Sequence, residues 1–274
     1  MAMENLLQQL RRYRAGAITG GLIGLLSGGL LGLLIGGTIG FLIQRSLSRK
    51  LQAYNPQQLF FRGTFCVMGK MAKADGRVTE NEIAFAREVM TRMSLSEARR
   101  REAIEYFTEG KQDDFDIAVV LRPLAIVLRQ RPAVKLMFVE IQLQAAMADG
   151  EISAPEQAVL QQVFSELRFT QQEIELLMLR MRAEDAFRRH SWESHQQPGF
   201  NEADLLADAY GVLGVTPDAS DADVKKAWRK LMSQHHPDKL IAKGLPEDML
   251  QLAKEKTQEI QAAYDRIKAA RGMR

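Results

Sequence analysis

Ser220-Asp221-Ala222-Asp223-Val224-Lys225-Lys226-Ala227-Trp228-Arg229-Lys230-Leu231-Met232-Ser233-Gln234-His235-His236-Pro237-Asp238-Lys239 is the stretch whose reading decides the fold. Val224, Ala227, Trp228 and Leu231 recur at helical spacing, so Ser220 to Gln234 reads as a helix with one apolar face. Lys225, Lys226, Arg229 and Lys230 occupy the opposite face. Thr216-Pro217-Asp218 makes the preceding turn, and Ser220 or Asp221 stands where an N-cap is needed. Pro237 cannot continue the helix. A longer helix follows from Glu247 to Ala270, with Leu250, Ile260, Ala263, Tyr264 and Ile267 along one side. His236-Pro237-Asp238 therefore lies in the connection of a helical hairpin.

The same residues, with Leu205-Leu206, Ala209-Tyr210-Gly211-Val212-Leu213-Gly214-Val215 before them and Ile260-Gln261-Ala262-Ala263-Tyr264 after them, resemble a complete J-domain. An ordinary hairpin with a solvated basic face would share the periodicity. The coincidence of H-P-D, the basic face and the Ala-Ala-Tyr of the last helix favours the J-domain. The Leu240–Met249 segment and the C-terminal position of the module are similar to the DjlA-type, membrane-anchored members of that family. The resemblance implies a protein that docks on a DnaK-type chaperone and stimulates its ATP hydrolysis. His236, Pro237, Asp238, Lys225, Lys226, Arg229 and Lys230 would form the contact. It implies no catalytic residues of its own, hence no enzyme, and no cofactor. The Gly/Phe-rich segment and zinc-bearing client domain found in other J-proteins do not follow here.

Composition narrows the rest. A chain of 274 residues suggests more than one domain, and a net charge of +3 gives no global field for nucleic acid. Cys66 is the sole cysteine, which rules out an intrachain disulfide and four-cysteine zinc modules. Almost every segment reads as helix, so the fold class is all-α.

From Ala15 to Ile43 there is no charged residue. As a helix this stretch would be about 43 Å long, enough for one tilted membrane crossing and too short for two. A buried soluble helix of this glycine content would be poor in water. A cleavable signal peptide is the other alternative, though no clear cleavage site follows. Gly16, Gly20, Gly24, Gly28, Gly32, Gly36 and Gly40 are spaced by four, and Gly21, Gly29 and Gly37 widen the stripe. Such small-residue spacing lets helix backbones approach closely in lipid, so Gly20, Gly24, Gly28, Gly32 and Gly36 are candidates for self-association as a homodimer. Leu22, Leu26, Leu30, Leu33 and Leu34 would mostly face lipid. Arg11, Arg12 and Arg14 before the span nearly balance Arg45, Arg49 and Lys50 after it. The expected orientation follows instead from the implied cytosolic partner: a single pass of a bacterial inner membrane, N-terminus periplasmic, the bulk cytoplasmic.

Between residues 51 and 187 the pattern is a helical bundle with an internal repeat. Ala74-Asp75-Gly76-Arg77-Val78-Thr79 with Glu82 matches Ala148-Asp149-Gly150-Glu151-Ile152-Ser153 with Glu156 at an offset of 74 residues. In each copy a helix ends, Asp-Gly turns, and Thr or Ser opens the next helix in a capping box. Ser94 with Glu97 and Thr170 with Glu173 read as further boxes, and Asp113 or Asp114 as another cap. Pro123 is expected to break or kink a helix, and Pro132 to open the next. Ala133 to Ala148 is apolar nearly all round and should be the buried central helix. This layout resembles the TerB-like domain. Asp75, Glu82, Asp149 and Glu156 could instead gather around a metal. No EF-hand loop is present, and capped turns explain them without one. Cys66 reads as core.

Arg188 to Asn201 is polar, with Gln196-Gln197-Pro198-Gly199, and reads as a linker carrying solvated His190 and His195. Trp192 could pack back on the bundle. The expected organisation is a short segment at 1–14, a membrane span at 15–43, a TerB-like domain at 51–187, a linker at 188–202 and a J-domain at 203–274. The expected partners are a DnaK-type chaperone, membrane lipid and a second copy of the chain. The function read from this is a membrane-anchored co-chaperone in envelope stress signalling or protein quality control. The alternatives are a stress or metal sensor with the J-domain as output, and a membrane scaffold with an inactive J-domain.

Overall fold

Burial of one apolar stripe per helix organises the chain beyond the N-terminal unit. The computed structural model describes residues 55–74, 76, 80–147, 152–196 and 202–273, with 18, 22–23, 25–26, 29 and 32–39 nearer the N-terminus. The elements are α1 Pro56–Ala72, α2 Glu80–Arg92, α3 Glu97–Gly110, α4 Ala118–Leu128, α5 Pro132–Ala146, α6 Ala154–Glu166, α7 Gln171–Gln196, α8 Glu202–Leu213, α9 Asp221–His235, α10 Pro237–Ala242, a 3-10 turn at Glu247–Met249 and α11 Leu250–Arg271. Among the described residues there is no strand, and the fold is all-α.

α5 is the central helix, as its composition predicts. Pro132 opens it, and Val134, Met137, Phe138, Val139, Ile141 and Leu143 are all buried. Phe138 meets Phe60 of α1 edge-to-face, ring centroids 5.3 Å apart. α1 and α3 cross with their backbones almost touching. A Cβ on Gly69 would lie 2.1 Å from the Phe107 carbonyl oxygen, and one on Gly110 would lie 2.0 Å from that of Cys66. Only glycine fits at either point. Cys66 is core, as expected. Burial, and then the negative charge of Glu109, push its thiol up to about 12, so it is neutral and unreactive at neutral pH.

The capping pattern is realised at some helices and shifted at others. Ser153 and Glu156 form the expected box: Glu156 Oε2 accepts from the Ser153 N–H at 2.9 Å. Thr170 and Glu173 form the same arrangement. Ser94 does not cap α3. It sits at φ +50°, and Ser96, one residue before Glu97, accepts from the Arg99 N–H instead. Asp113 and Asp114 cap nothing, because α4 starts later, where Asp116 Oδ1 accepts from the Ala118 N–H at 2.9 Å. α4 runs unbroken past Pro123, held by the burial of Leu121, Leu124 and Leu128. Thr79 and the side chain of Glu82 lie outside the described residues.

α7 departs furthest from expectation. It continues as helix to Gln196, through the start of the stretch read as a linker. Packing overrides its polar composition: Leu177 and Met181 join the core around α5, while Phe187 joins the core of the C-terminal hairpin. α8 lies close against it, so a Cβ on Gly211 would meet the Ala183 Cβ at 2.5 Å. His190 Nδ1 lies 2.5 Å from Asp208 Oδ2, so this histidine is paired rather than free in a linker. The side chains of Trp192 and His195 lie outside the described residues.

Residues Met1–Gln58 form a separate unit. Within it residues 32–39 are helical, and Leu22, Leu26, Leu33 and Leu34 are exposed. Gly29, Gly32, Gly36 and Gly37 are described. Gly16, Gly20, Gly21, Gly24, Gly28 and Gly40 lie outside the described residues, as does most of the stretch read as a span. Among the described residues no helix is long and apolar enough to cross a membrane.

The α1–α3 crossing yields a stability prediction. Gly110→Ala should destabilise Leu59–Arg274 by about 1–3 kcal/mol, the usual range for overpacking, because the clash is with backbone that cannot rotate away. Urea denaturation of the variant beside Gly272→Ala, which has open space for a Cβ, separates crowding from backbone strain. Equal midpoints for the two variants would contradict the crossing.

Candidate chaperone-docking site

α9 presents two faces. Ser220 caps it, accepting from the Asp223 N–H at 3.2 Å, and Val224, Leu231 and His235 are buried. Lys226, Arg229 and Lys230 are exposed on the other side and Lys225 is half-buried. Trp228 stacks on Tyr264 of α11 at 4.5 Å and donates its indole N–H to Gln261 at 3.0 Å. The hairpin thus has its own core, closed at the far end by Arg271. That guanidinium donates to Tyr210 Oη at 2.6 Å and to the Pro217 and Ala219 carbonyls at 2.6 and 2.7 Å.

The helix stops where Pro237 demands it. A residue before proline is driven out of the helical region, and His236 has φ −59° and ψ 123°. Pro237 then takes the first position of α10. His236-Pro237-Asp238 is therefore not a plain connection: it is the junction of two helices, with His236 ending one and preceding the other. His236 and Asp238 are exposed and Pro237 is half-buried. Lys239 donates from Nζ to Ser233 Oγ at 2.8 Å, back across the junction.

Beyond the junction the chain turns inward. Gly244 ends α10 at φ +94°, and the Leu245 N–H donates to the Leu240 carbonyl at 3.0 Å. Leu240, Leu245 and Met249 are fully buried in the same core as α1–α7. Arg99 of α3 donates to Asp248 at 2.7 and 3.0 Å, and Arg92 of α2 donates to Glu255 from two nitrogens.

A polar network lies behind this packing. Glu140 on α5 accepts from Arg180 on α7 and faces His235 Nε2 at 2.9 and 3.2 Å. Glu184 on α7 accepts from Lys256 on α11, and Arg180 Nε lies 3.3 Å from it. The side chains of His235, Glu140, Glu184 and Lys256 are 1, 2, 3 and 4 % exposed. Burial, then the charges of Lys256 and Arg180, push the His235 imidazole down from its ordinary range. Its Nδ1 also faces an acceptor, the Leu231 carbonyl at 3.0 Å. For both contacts to be hydrogen bonds the His235–Glu140 pair must hold two protons between them.

Comparison with known proteins follows this division. The tellurite resistance protein TerB family matches residues 62–179, and the DnaJ domain matches residues 208–271. Co-chaperone protein DjlA of Shewanella oneidensis is 47 % identical over 223 residues, covering 81 % of this chain and 82 % of that protein. The protein of the same name from Coxiella burnetii is 45 % identical over 231 residues, 84 % of each. That from Aliivibrio fischeri is 45 % identical over 230 residues, covering 80 % of this chain and 81 % of its own length. The chain belongs to the DjlA family of co-chaperones. No solved structure matches it.

In this DjlA-family chain the residues singled out from the sequence come together in part. His236, Pro237 and Asp238 follow directly on the helix that carries Lys225, Lys226, Arg229 and Lys230. Among the described residues there is no group of three or more potential metal ligands. Asp75 and Asp149 and the side chain of Glu82 lie outside those residues, and Glu156 is engaged in its capping box. The buried network was missed, yet it left a signal. Lys256 stands four residues from both Leu252 and Ile260 on the apolar stripe of α11, and Glu140 interrupts the apolar run of α5.

Lys256→Met should cost about 3–5 kcal/mol, the range for removing one partner of a buried pair, because Glu184 is then left with Arg180 alone. Lys256→Met with Glu184→Met should recover most of that loss. Thermal melts of both variants check it, and a single substitution that melts with the wild type would exclude a tightly buried pair.

Proposed function

We propose that this chain is a membrane-anchored co-chaperone that stimulates ATP hydrolysis by a cytosolic DnaK-type chaperone through its H-P-D junction. The observation that carries the reading is the open face of a hairpin whose other sides are occupied. His236 and Asp238 are exposed where α9 meets α10, continuous with Lys226, Arg229 and Lys230. The basic face steers an acidic partner surface, which acts on association rate and orientation more than on affinity. The junction supplies directed polar contacts, and Pro237 fixes their geometry. In this role the protein is a regulator, and the chemistry belongs to its partner.

Single-turnover ATP hydrolysis by a DnaK-type chaperone, with and without this protein, is the direct test. His236→Gln and Asp238→Asn should abolish the stimulation while leaving the melting temperature nearly unchanged, since neither side chain is core. Lys226→Glu with Arg229→Glu should mainly slow association, and added salt should slow the wild type too. Full stimulation by both junction variants would remove the reading.

The anchor is part of the same proposal. The uncharged run from Ala15 to Ile43 serves as a single crossing of a bacterial inner membrane, N-terminus periplasmic, and its glycine stripe pairs with that of a second copy. Helix pairing in lipid depends on close approach, so Gly24→Leu, Gly28→Leu and Gly32→Leu together should keep insertion and abolish association. Leu22→Ile, Leu26→Ile and Leu33→Ile should have little effect. A membrane two-hybrid assay reads both. Undiminished association of the glycine variant would dismiss the stripe as the interface. With this orientation, external protease on intact spheroplasts spares the domains beyond the span.

A further inference from the structure

We infer that Glu140 of the TerB-like domain is a positioning residue for the H-P-D junction, so that the stimulating unit is the J-hairpin and the TerB-like domain together. The inference rests on the co-chaperone reading above. It goes beyond it by giving the middle domain a part in the stimulation itself.

The geometry runs through one histidine. His235 is the last residue of α9 and immediately precedes His236. Its ring is held on one side by its own helix, at the Leu231 carbonyl, and on the other by the Glu140 carboxylate of α5. Arg180 holds that carboxylate in place from α7. On the far side of the junction, Leu240, Leu245 and Met249 are buried in the core of the TerB-like domain. His236-Pro237-Asp238 is thus fastened to the middle domain on both flanks, within two residues on each. A hairpin without these contacts would keep the junction's sequence and lose the support that sets the end of α9 against the start of α10.

The charged groups around the junction's support are Glu140 on α5, Arg180 and Glu184 on α7, and Lys256 on α11, with Glu259 of α11 acting on Arg180 and Lys256 through its charge. Glu140, Glu184 and Lys256 are buried and Arg180 is 12 % exposed, so Glu140 itself cannot contact the partner chaperone directly. An effect of Glu140 on stimulation is therefore indirect, and His235 is its direct contact with the helix that ends at the junction.

The test compares two substitutions in the full chain, Glu140→Met and Glu140→Gln, in single-turnover ATP hydrolysis over a range of co-chaperone concentration. Glutamine can keep a hydrogen bond to the His235 ring and methionine cannot. Glu140→Met should lower the maximal stimulated rate by about tenfold, the scale of one lost hydrogen bond. The half-saturating concentration should stay unchanged, because the basic face is untouched. Glu140→Gln should recover most of the rate. Leu124→Ala, a core truncation on α4, controls for stability: it should lower the melting temperature and leave the maximal rate alone. Equal maximal rates for the methionine variant and the wild type overturn the inference, and so does a rate that falls with melting temperature across all three variants. Amide hydrogen exchange on the wild-type protein tests the clamp even where Glu140→Met fails to fold. The Leu240 and Leu245 amides should exchange as slowly as those of α5, and rapid exchange there overturns the inference. Failure of the co-chaperone reading has a different signature: no stimulation by the wild type, or full stimulation by His236→Gln, with slow exchange intact.

Discussion

A charge removed from water has to be met by another, and this constraint holds the folded chain in one arrangement. Glu140, Arg180, Glu184 and Lys256, with the ring of His235, lie where α5 and α7 meet α9 and α11. An apolar seam tolerates small slips, because one methyl group replaces another at little cost. A seam of buried ions does not: displacing α11 by one residue would leave Lys256 without its partner and Glu184 with Arg180 alone, at a cost of several kcal/mol. The surrounding contacts follow from that register. Leu252 and Ala253 pack into the middle-domain core on the turn before Lys256, and Arg92 reaches Glu255 on the adjoining edge of the same helix. The half-exposed pairs at Arg92 and Arg99 add little energy themselves.

α7 extends the arrangement along the chain. One helix contributes Leu177 and Met181 to the first core, Arg180 and Glu184 to the network, and Phe187 to the second core. A continuous helix resists bending, so the two cores it joins have no hinge along its described length. The close seat of α8 at Gly211 reinforces this, since the two backbones approach too closely for a larger side chain to pass. The TerB-like and DnaJ matches are thus separate in sequence, while Leu59–Arg274 is one compact unit in space.

The parts of this fold that depend on local periodicity were legible from the residues. The apolar run of α5, the Ser153 and Thr170 boxes and the two-faced pattern of α9 all follow from spacing within a single helix. Other features were not legible, because they depend on partners far away in the chain. Nothing near Ser94 says that Ser96 will cap α3 in its place. The polar sequence from Arg188 reads as a linker until Phe187 and Gly211 are known to seat helices on either side of it. From spacing alone His235 reads as part of a motif and Glu140 as an interruption of an apolar run, yet the two, 95 residues apart in the chain, lie 2.9 Å from each other. A charged residue at a position that the helical period assigns to the core is the one sequence signal for such a network. It marks that a partner exists without saying which.

The junction itself shows how a motif can depend on its surroundings. His235 and His236 are neighbours with opposite fates, one buried and the other exposed. The helical path ends between them because Pro237 holds His236 at ψ 123°. Had the helix continued, the next residues would have turned about the same axis, and Asp238 would have come within one turn of the buried face. By stopping the helix there, Pro237 lets one ring anchor inward and the next stand outward with no residue between them. The burial of His235 and the exposure of His236 meet at that single backbone turn. Whatever holds the inner ring also limits where the outer one can stand.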